Sequence, residues 1–299
     1  TNYPRDQNYI LRFMMERRHN IKIITTRDRN FERYDPLFLP MVKVFRCPVI
    51  FQIKKAKIYF RPDVLKVLCQ NYDVVHSFTF FTFSSVLATI VKSKLKIIRS
   101  EVGAPNGLNF VKAKRGIYSA LVNVYRENYD YVTAYNHLEA KSLESLGFPR
   151  KRIIKLSPMI DFKAFSSLHS APENSSLKIG IIGRISPEKG IHRALAIVKE
   201  VLKNAQIEGR KFKLFLAGRM DDKKYARKVL TGLRDLLESR FVYLGEVAPP
   251  YRFYRSVDVV IVPSLIETGA IAVLEAMAAG KCVIASDIYP INLYISHGL

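Results

Sequence analysis

Pro263-Ser264-Leu265-Ile266-Glu267-Thr268-Gly269-Ala270-Ile271-Ala272-Val273-Leu274-Glu275-Ala276-Met277-Ala278-Ala279-Gly280 is the stretch that decides the fold. The run before it, Val257-Asp258-Val259-Val260-Ile261-Val262, is short, β-branched and apolar, as a buried parallel strand is. A loop with one carboxylate, Glu267, follows the strand. Gly269 is then expected to open a helix whose apolar body carries a second carboxylate, Glu275. A strand end, a glycine turn and a helix N-terminus suit a phosphorylated ligand, because N–H groups and the helix dipole point there. The bland alternative for Glu275 is an exposed helical glutamate.

Outward from this stretch, strands and helices alternate at the spacing of a parallel, doubly wound sheet. Downstream of residue 176 the pattern predicts strands Lys178–Ile182, Lys213–Leu216, Phe241–Leu244 and Cys282–Ala285. Helices are predicted over Ile191–Lys203, Tyr225–Glu238 and, briefly, Tyr251–Ser256. Upstream it predicts strands Ile21–Thr26, Asp73–His76, Leu95–Ser100, Asp130–Ala134 and Ile153–Leu156, with helices between them. One long helix is expected from about Phe110 to Glu127, and residues 35–62 read as less regular, with prolines at 36, 40, 48 and 62 breaking up short extended runs. The small, polar stretch Ser166–Ser176 reads as a linker. The expected division is therefore an N-terminal domain over 1–165, a linker over 166–176 and a C-terminal domain over 177–299.

The length of 299 residues is enough for two cores, and 48% hydrophobic content excludes general disorder. Three cysteines, Cys47, Cys69 and Cys282, show no CxxC spacing, which argues against a disulfide framework or zinc site and fits a reducing cytosol. The N-terminus lacks a charged-then-apolar signal pattern, and the uncharged stretch Val74–Val91 is too rich in Ser, Thr and His for a membrane span. Net charge is +22 and unevenly spread: residues 1–170 hold 29 basic and 13 acidic side chains, the remainder 19 and 13. That imbalance favours an anionic partner for the first half, whether nucleic acid, acidic headgroups or a phosphorylated substrate.

A second βα loop carries the opposite charge. Ile179-Gly180-Ile181-Ile182-Gly183-Arg184-Ile185-Ser186-Pro187-Glu188-Lys189-Gly190 ends a strand in glycine and places Arg184 and Lys189 five residues apart. An arginine fork and a lysine point charge suit a diphosphate. Neither GxxxxGK[ST] nor GxGxxG occurs at this loop. In a parallel sheet both loops leave the carboxyl ends of their strands and line one edge. Cations and N–H groups suit a pyrophosphate; carboxylates suit sugar hydroxyls, which need acceptors. A nucleotide-sugar has both.

In order along the chain, GRISPEKG (183–190), Phe215-Leu216-Ala217-Gly218-Arg219, Tyr243-Leu244-Gly245-Glu246-Val247 and PSLIETGAIAVLEAMAAGKCVIASD (263–287) resemble the retaining, nucleotide-sugar-dependent glycosyltransferases of family 4. Glu267 to Glu275 matches that family's E-x7-E motif. The resemblance implies an α/β GT-B fold: two facing Rossmann-like domains with parallel sheets and an inter-domain cleft. It implies a hexosyltransferase moving sugar from a nucleoside diphosphate donor to an acceptor hydroxyl in glycolipid, polysaccharide or glycoprotein-glycan assembly, without a metal or other cofactor. Arg184 and Lys189 would hold the diphosphate beside Gly183, and the backbone of Gly269, Ala270 and Ile271 would meet phosphate. Val247 would lie near the base, Glu275 at the ribose and Glu267 at the donor sugar. Where relatives show glycine-aromatic-glycine after the first Glu, this chain has Thr268-Gly269-Ala270.

In the N-terminal domain, where many relatives place a histidine after the strand ending near Ser100, this chain has Glu101, a carboxylate suited to a cationic sugar transition state or to the acceptor hydroxyl. His76 is the second candidate beside the reaction, together with Glu267. The resemblance also implies a chain truncated at both ends, with the C-terminal domain incomplete. The expected partners are the donor and a glycan or lipid-linked acceptor, with contact to an anionic membrane at its cytoplasmic face and no nucleic acid. Competing readings are a non-catalytic basic protein on nucleic acid or a membrane surface, and a related GT-B enzyme such as a sugar-nucleotide epimerase.

Overall fold

The computed structural model describes residues 10, 13–26, 42–47, 49–53, 56–59, 62–78, 80–100, 102–103, 108–167, 176–203, 211–247 and 250–296. The chain divides into two compact units, one over Asp6–Ser157 and one that includes Pro158–Leu299.

In the first unit, strands β1 (Ile21–Thr26) and β2 (Val42–Cys47) pair in parallel, and β3 (Val49–Ile53) and β4 (Ala56–Tyr59) pair antiparallel. These last three strands are short extended runs of the kind expected in the proline-interrupted region 35–62. Next come α1 (Pro62–Leu68), β5 (Tyr72–Ser77), α2 (Phe83–Ile90) and β6 (Ser93–Arg99). They are followed by α3 (Leu108–Ala113), α4 (Gly116–Asn128), β7 (Tyr131–Ala134), α5 (His137–Ser145) and β8 (Ile153–Lys155). Strands β5 to β8 form a parallel sheet in chain order. The single long helix expected here is two, because Arg115 is extended and Gly116 left-handed at φ +52°. Tyr125 of α4 is fully buried, and its hydroxyl meets Ser85 Oγ at 2.9 Å in the capping box that starts α2.

The second unit begins with α6 (Phe162–Ser166), started by Asp161, whose carboxylate accepts from the Ala164 N–H at 3.1 Å. Phe165 of α6 is buried edge-on against Tyr254. Most of the stretch read as a linker (168–175) lies outside the described residues. The alternation continues through β9 (Leu177–Ile182), α7 (Ile191–Lys203), β10 (Phe212–Ala217), α8 (Lys223–Leu237) and β11 (Phe241–Gly245). It closes with α9 (Tyr251–Arg255), β12 (Val259–Val262), α10 (Ile271–Ala278) and β13 (Cys282–Ala285).

All five strands are parallel, in the order β11-β10-β9-β12-β13. Two cores result. One lies under α7 and α8, where Ala226, Val229, Leu230, Leu233 and Leu237 form a stripe at helical spacing. The other lies under α9 and α10, around Phe253, Val260, Val273 and Ala276. Gly180 in β9 admits this second layer, since a Cβ there would sit 2.6 Å from the Phe253 ring. Among the described residues no helix is long and apolar enough to cross a membrane.

Candidate nucleotide-sugar site

Between β9 and β12 the strand order of the second unit reverses, and ligands of doubly wound sheets bind outside the carboxyl ends of the strands at such a point. The two loops singled out in the sequence leave these two strands and are laced together. Glu188 O accepts from the N–H groups of Leu265 at 2.8 Å and Ile266 at 3.3 Å. Gly190 is left-handed at φ +62°, and a Cβ on it would lie 2.0 Å from Pro263 O, so only glycine permits the approach. Across this junction Lys189 Nζ meets Glu267 Oε1 at 2.6 Å, and Ser264 Oγ donates to the same oxygen at 2.8 Å. The Glu267 carboxylate is mostly covered and Lys189 partly so.

The helix after this loop starts later than Gly269. Helix α10 begins at Ile271, and its N-cap Ala270 is the left-handed residue, at φ +47° and ψ +39°. Gly269 is needed for a different reason: a Cβ there would fall 2.6 Å from Pro158 Cγ. Glu275 is not an exposed helical glutamate. It is 0% exposed, and its Oε2 accepts from the Tyr254 hydroxyl at 2.8 Å. Val247 follows β11 and packs, partly buried, on the core around Phe253 and Val262.

Arg184 leaves β9 just after Gly183 and is already engaged. Its Nη1 meets Asp221 Oδ2 at 2.7 Å, and its Nη2 meets Glu188 Oε1 at 3.2 Å. Asp221 also receives Arg219, through Nη2 at 2.6 Å and Nε at 2.8 Å, both on Oδ1. Partial burial opposes ionisation of Asp221, but the hydrogen bonds and charges of Arg184 and Arg219 outweigh it and lower its pKa below the ordinary carboxylate value. The backbone makes this meeting. Ile185 pairs in parallel with Met220, Ile185 N–H donates to Arg219 O at 2.8 Å, and a Cβ on Gly218 would strike Gly183 O. Sequence reading found Arg219 within a motif but missed Asp221, because the pairing of the two loops beyond their strands leaves no local signal. Among the described residues no group of His, Cys, Asp and Glu could hold a metal ion.

On the first unit His76 stands near the end of β5, partly buried, its ring stacked on Phe78. Burial, aided by the charge of Arg99, lowers its pKa to about 4, so the imidazole is neutral at pH 7. Glu101 lies outside the described residues. A buried carboxylate of this unit that sequence reading missed is Glu139, in the first turn of α5. Fully buried, its Oε1 accepts from Ser100 Oγ at 2.9 Å and from Gly103 N–H at 3.1 Å, and its Oε2 accepts from Tyr135 N–H at 2.8 Å. Burial raises its pKa to about 6 against these hydrogen bonds and the charge of Arg99. The spacing from Asn136 to Glu139 reads as a capping box and gives no hint of burial.

Residues 167–299 match the family described as glycosyl transferases group 1. An uncharacterized glycosyltransferase of Methanocaldococcus jannaschii, MJ1607, is 32% identical over 118 residues, covering 39% of this chain and 28% of the relative. The lipopolysaccharide 1,2-N-acetylglucosaminetransferase of Salmonella typhimurium is 32% identical over 126 residues, covering 39% of this chain and 32% of the relative. These matched stretches span less than a third of either relative. The crystal structure of Anabaena Alr3699/HepE in complex with UDP and glucose aligns with 100% of this chain and 82% of its own, with a TM-score of 0.71 and 17% identity, a likeness of fold. The chain thus has the GT-B fold, and its residues 167–299 match the glycosyl transferases group 1 family.

Proposed function

We propose that this protein is a retaining glycosyltransferase that moves a hexose-type sugar from a nucleoside diphosphate donor to an acceptor hydroxyl. The observation that carries the reading is the junction of the β9 and β12 loops, where Lys189 and Glu267 meet at 2.6 Å beside Arg184 at the switch point of the sheet. Supporting it are the match of residues 167–299 to the glycosyl transferases group 1 family and the HepE crystal structures, which hold UDP and glucose or UDP-glucose.

In this reading Arg184 and Lys189 hold the diphosphate and stabilise the negative charge that develops on the departing nucleotide. Lys189 turns from Glu267 toward phosphate, freeing the carboxylate for the hydroxyls of the donor sugar. The backbone of Gly269, Ala270 and Ile271 faces phosphate near the start of α10, Glu275 takes the ribose hydroxyls and Val247 borders the base. On the first unit, neutral His76 and Glu101 serve the acceptor hydroxyl. The acceptor is a glycan or lipid-linked sugar, and the basic balance of residues 1–170 suits an anionic one or one held at an anionic membrane.

Incubation of the chain with UDP-, GDP- and ADP-sugars and a panel of lipid-linked and free glycan acceptors tests this, with the new linkage read by NMR. The expected product keeps the anomeric configuration of the donor. An inverted linkage contradicts retention. Sugar-nucleotide isomerisation without any acceptor points to an epimerase instead.

A further inference from the structure

The carboxyl edge of the second unit holds three cations close to three carboxylates of the same chain. Arg184, Arg219 and Lys189 are matched by Asp221, Glu188 and Glu267, at 2.6 to 3.2 Å. A diphosphate approaching this edge meets cations that are already neutralised. Something must give way.

Asp221 is the group that the geometry singles out. Two guanidinium groups from adjacent loops converge on its two oxygens, Arg184 on Oδ2 and Arg219 on Oδ1. Convergence of two arginine forks on one small anion is how proteins hold a phosphate group. The loops that present the arginines are fixed by backbone contacts: the Ile185–Met220 bridge, the bond from Ile185 N–H to Arg219 O, and the glycine contact between 183 and 218. The arginines therefore keep their places whether or not the carboxylate lies between them. Asp221 follows Met220 at the end of this bridge, and Asp222 immediately caps α8. A rotation of its side chain withdraws the carboxylate without disturbing strand or helix.

We propose that Arg184 and Arg219 form a two-arginine phosphate clamp, and that Asp221 is an internal anion occupying it until the donor diphosphate exchanges with it. Resting on the nucleotide-sugar reading, this deepens it in two ways. It adds Arg219 as a donor-phosphate ligand, and it makes Asp221 a residue that limits donor affinity and promotes release of the nucleoside diphosphate. The lowered pKa of Asp221 agrees, since the hydrogen bonds and charges of Arg184 and Arg219 favour its charged form.

Isothermal titration of the full chain with UDP and, separately, inorganic pyrophosphate tests the clamp. Asp221→Asn, with Asp221→Ala beside it, binds both probes about fivefold more tightly than wild type, the scale of one part-exposed ion pair. Arg219→Gln binds both about fivefold more weakly. A merely structural role for the cluster would weaken binding in all three variants, and that result, or unchanged affinity in the Asp221 variants, overturns the proposal. If UDP and pyrophosphate bind neither wild type nor the variants, the donor-site reading itself falls and takes the clamp with it. Tighter pyrophosphate with unchanged UDP overturns the assignment of the clamp to the nucleotide. Melting temperatures measured alongside identify any variant that has failed to fold, and the remaining Asp221 substitution then decides.

Discussion

Three small residues hold the loops of the proposed site in place, each for a different reason. At Gly190 both backbone conformation and space demand glycine, since a Cβ would lie 2.0 Å from a carbonyl oxygen that cannot swing aside. Gly190→Ala is expected to cost about 3 kcal/mol, the upper end for overpacking, and to loosen the Lys189–Glu267 contact. Gly269 answers only to space, and Gly269→Ala, which pushes on the Pro158 ring, is expected to cost about 1–2 kcal/mol. Ala270 is the reverse case, an L-residue in the left-handed region that costs roughly 1–2 kcal/mol. After the entropy that glycine loses on folding, Ala270→Gly is expected to be more stable by about 0.5–1 kcal/mol. Denaturant midpoints check all three, and a loss of stability in Ala270→Gly would contradict this reading of the loop. The sequence quotes Thr268-Gly269-Ala270 where relatives carry two glycines. It does not show that Ala270 is the residue that turns left-handed, or that Gly269 is held to glycine by the nearby Pro158 ring.

At the scale of elements, short β-branched strands and amphipathic helices were legible. Strands β1 and β13 and helix α7 have the bounds expected of them, and most of the others lie within two residues. What escaped were features set by contacts between elements. Helix α6 is too short for periodicity and is recognisable only by Phe165 packing on Tyr254. The break between α3 and α4 hangs on the conformation of one glycine. Glu139 escaped for the same reason, and together with His76 it gives the first unit a specific pH response. Glu139 binds its proton more tightly folded, at about 6, than at its ordinary 4.5. Its contribution to stability is therefore fully present below 4.5 and lost as pH rises through 6, in all about 2 kcal/mol. His76 binds its proton less tightly folded, at about 4, than at its ordinary 6.5. Its contribution is present above 6.5 and lost as pH falls toward 4, in all about 3 kcal/mol. The two slopes oppose each other between 4.5 and 6. Urea unfolding from pH 7 to pH 4 is expected to show Glu139→Gln falling more steeply with acid than wild type and His76→Gln falling less. Parallel curves would contradict both assignments.

For the whole molecule, the α/β class and the order of its parts follow from the alternation of strands and helices, and the motifs proposed for the donor follow in sequence order. Charge adds a property that no single element carries. With most of the +22 on residues 1–170, the chain is expected to co-sediment with vesicles containing phosphatidylglycerol, to release at high salt and to ignore neutral vesicles. Binding that is independent of anionic lipid would remove the membrane from the account. The central claim is that the β9 and β12 loops of the second unit bind a nucleoside diphosphate through Arg184 and Lys189. Its most direct test is the affinity of the full chain for UDP by isothermal titration, compared with Arg184→Ala and Lys189→Ala. Each substitution is predicted to weaken binding about tenfold or more, the scale of one charged hydrogen bond, with the fold retained. UDP affinity unchanged in both variants would contradict the claim.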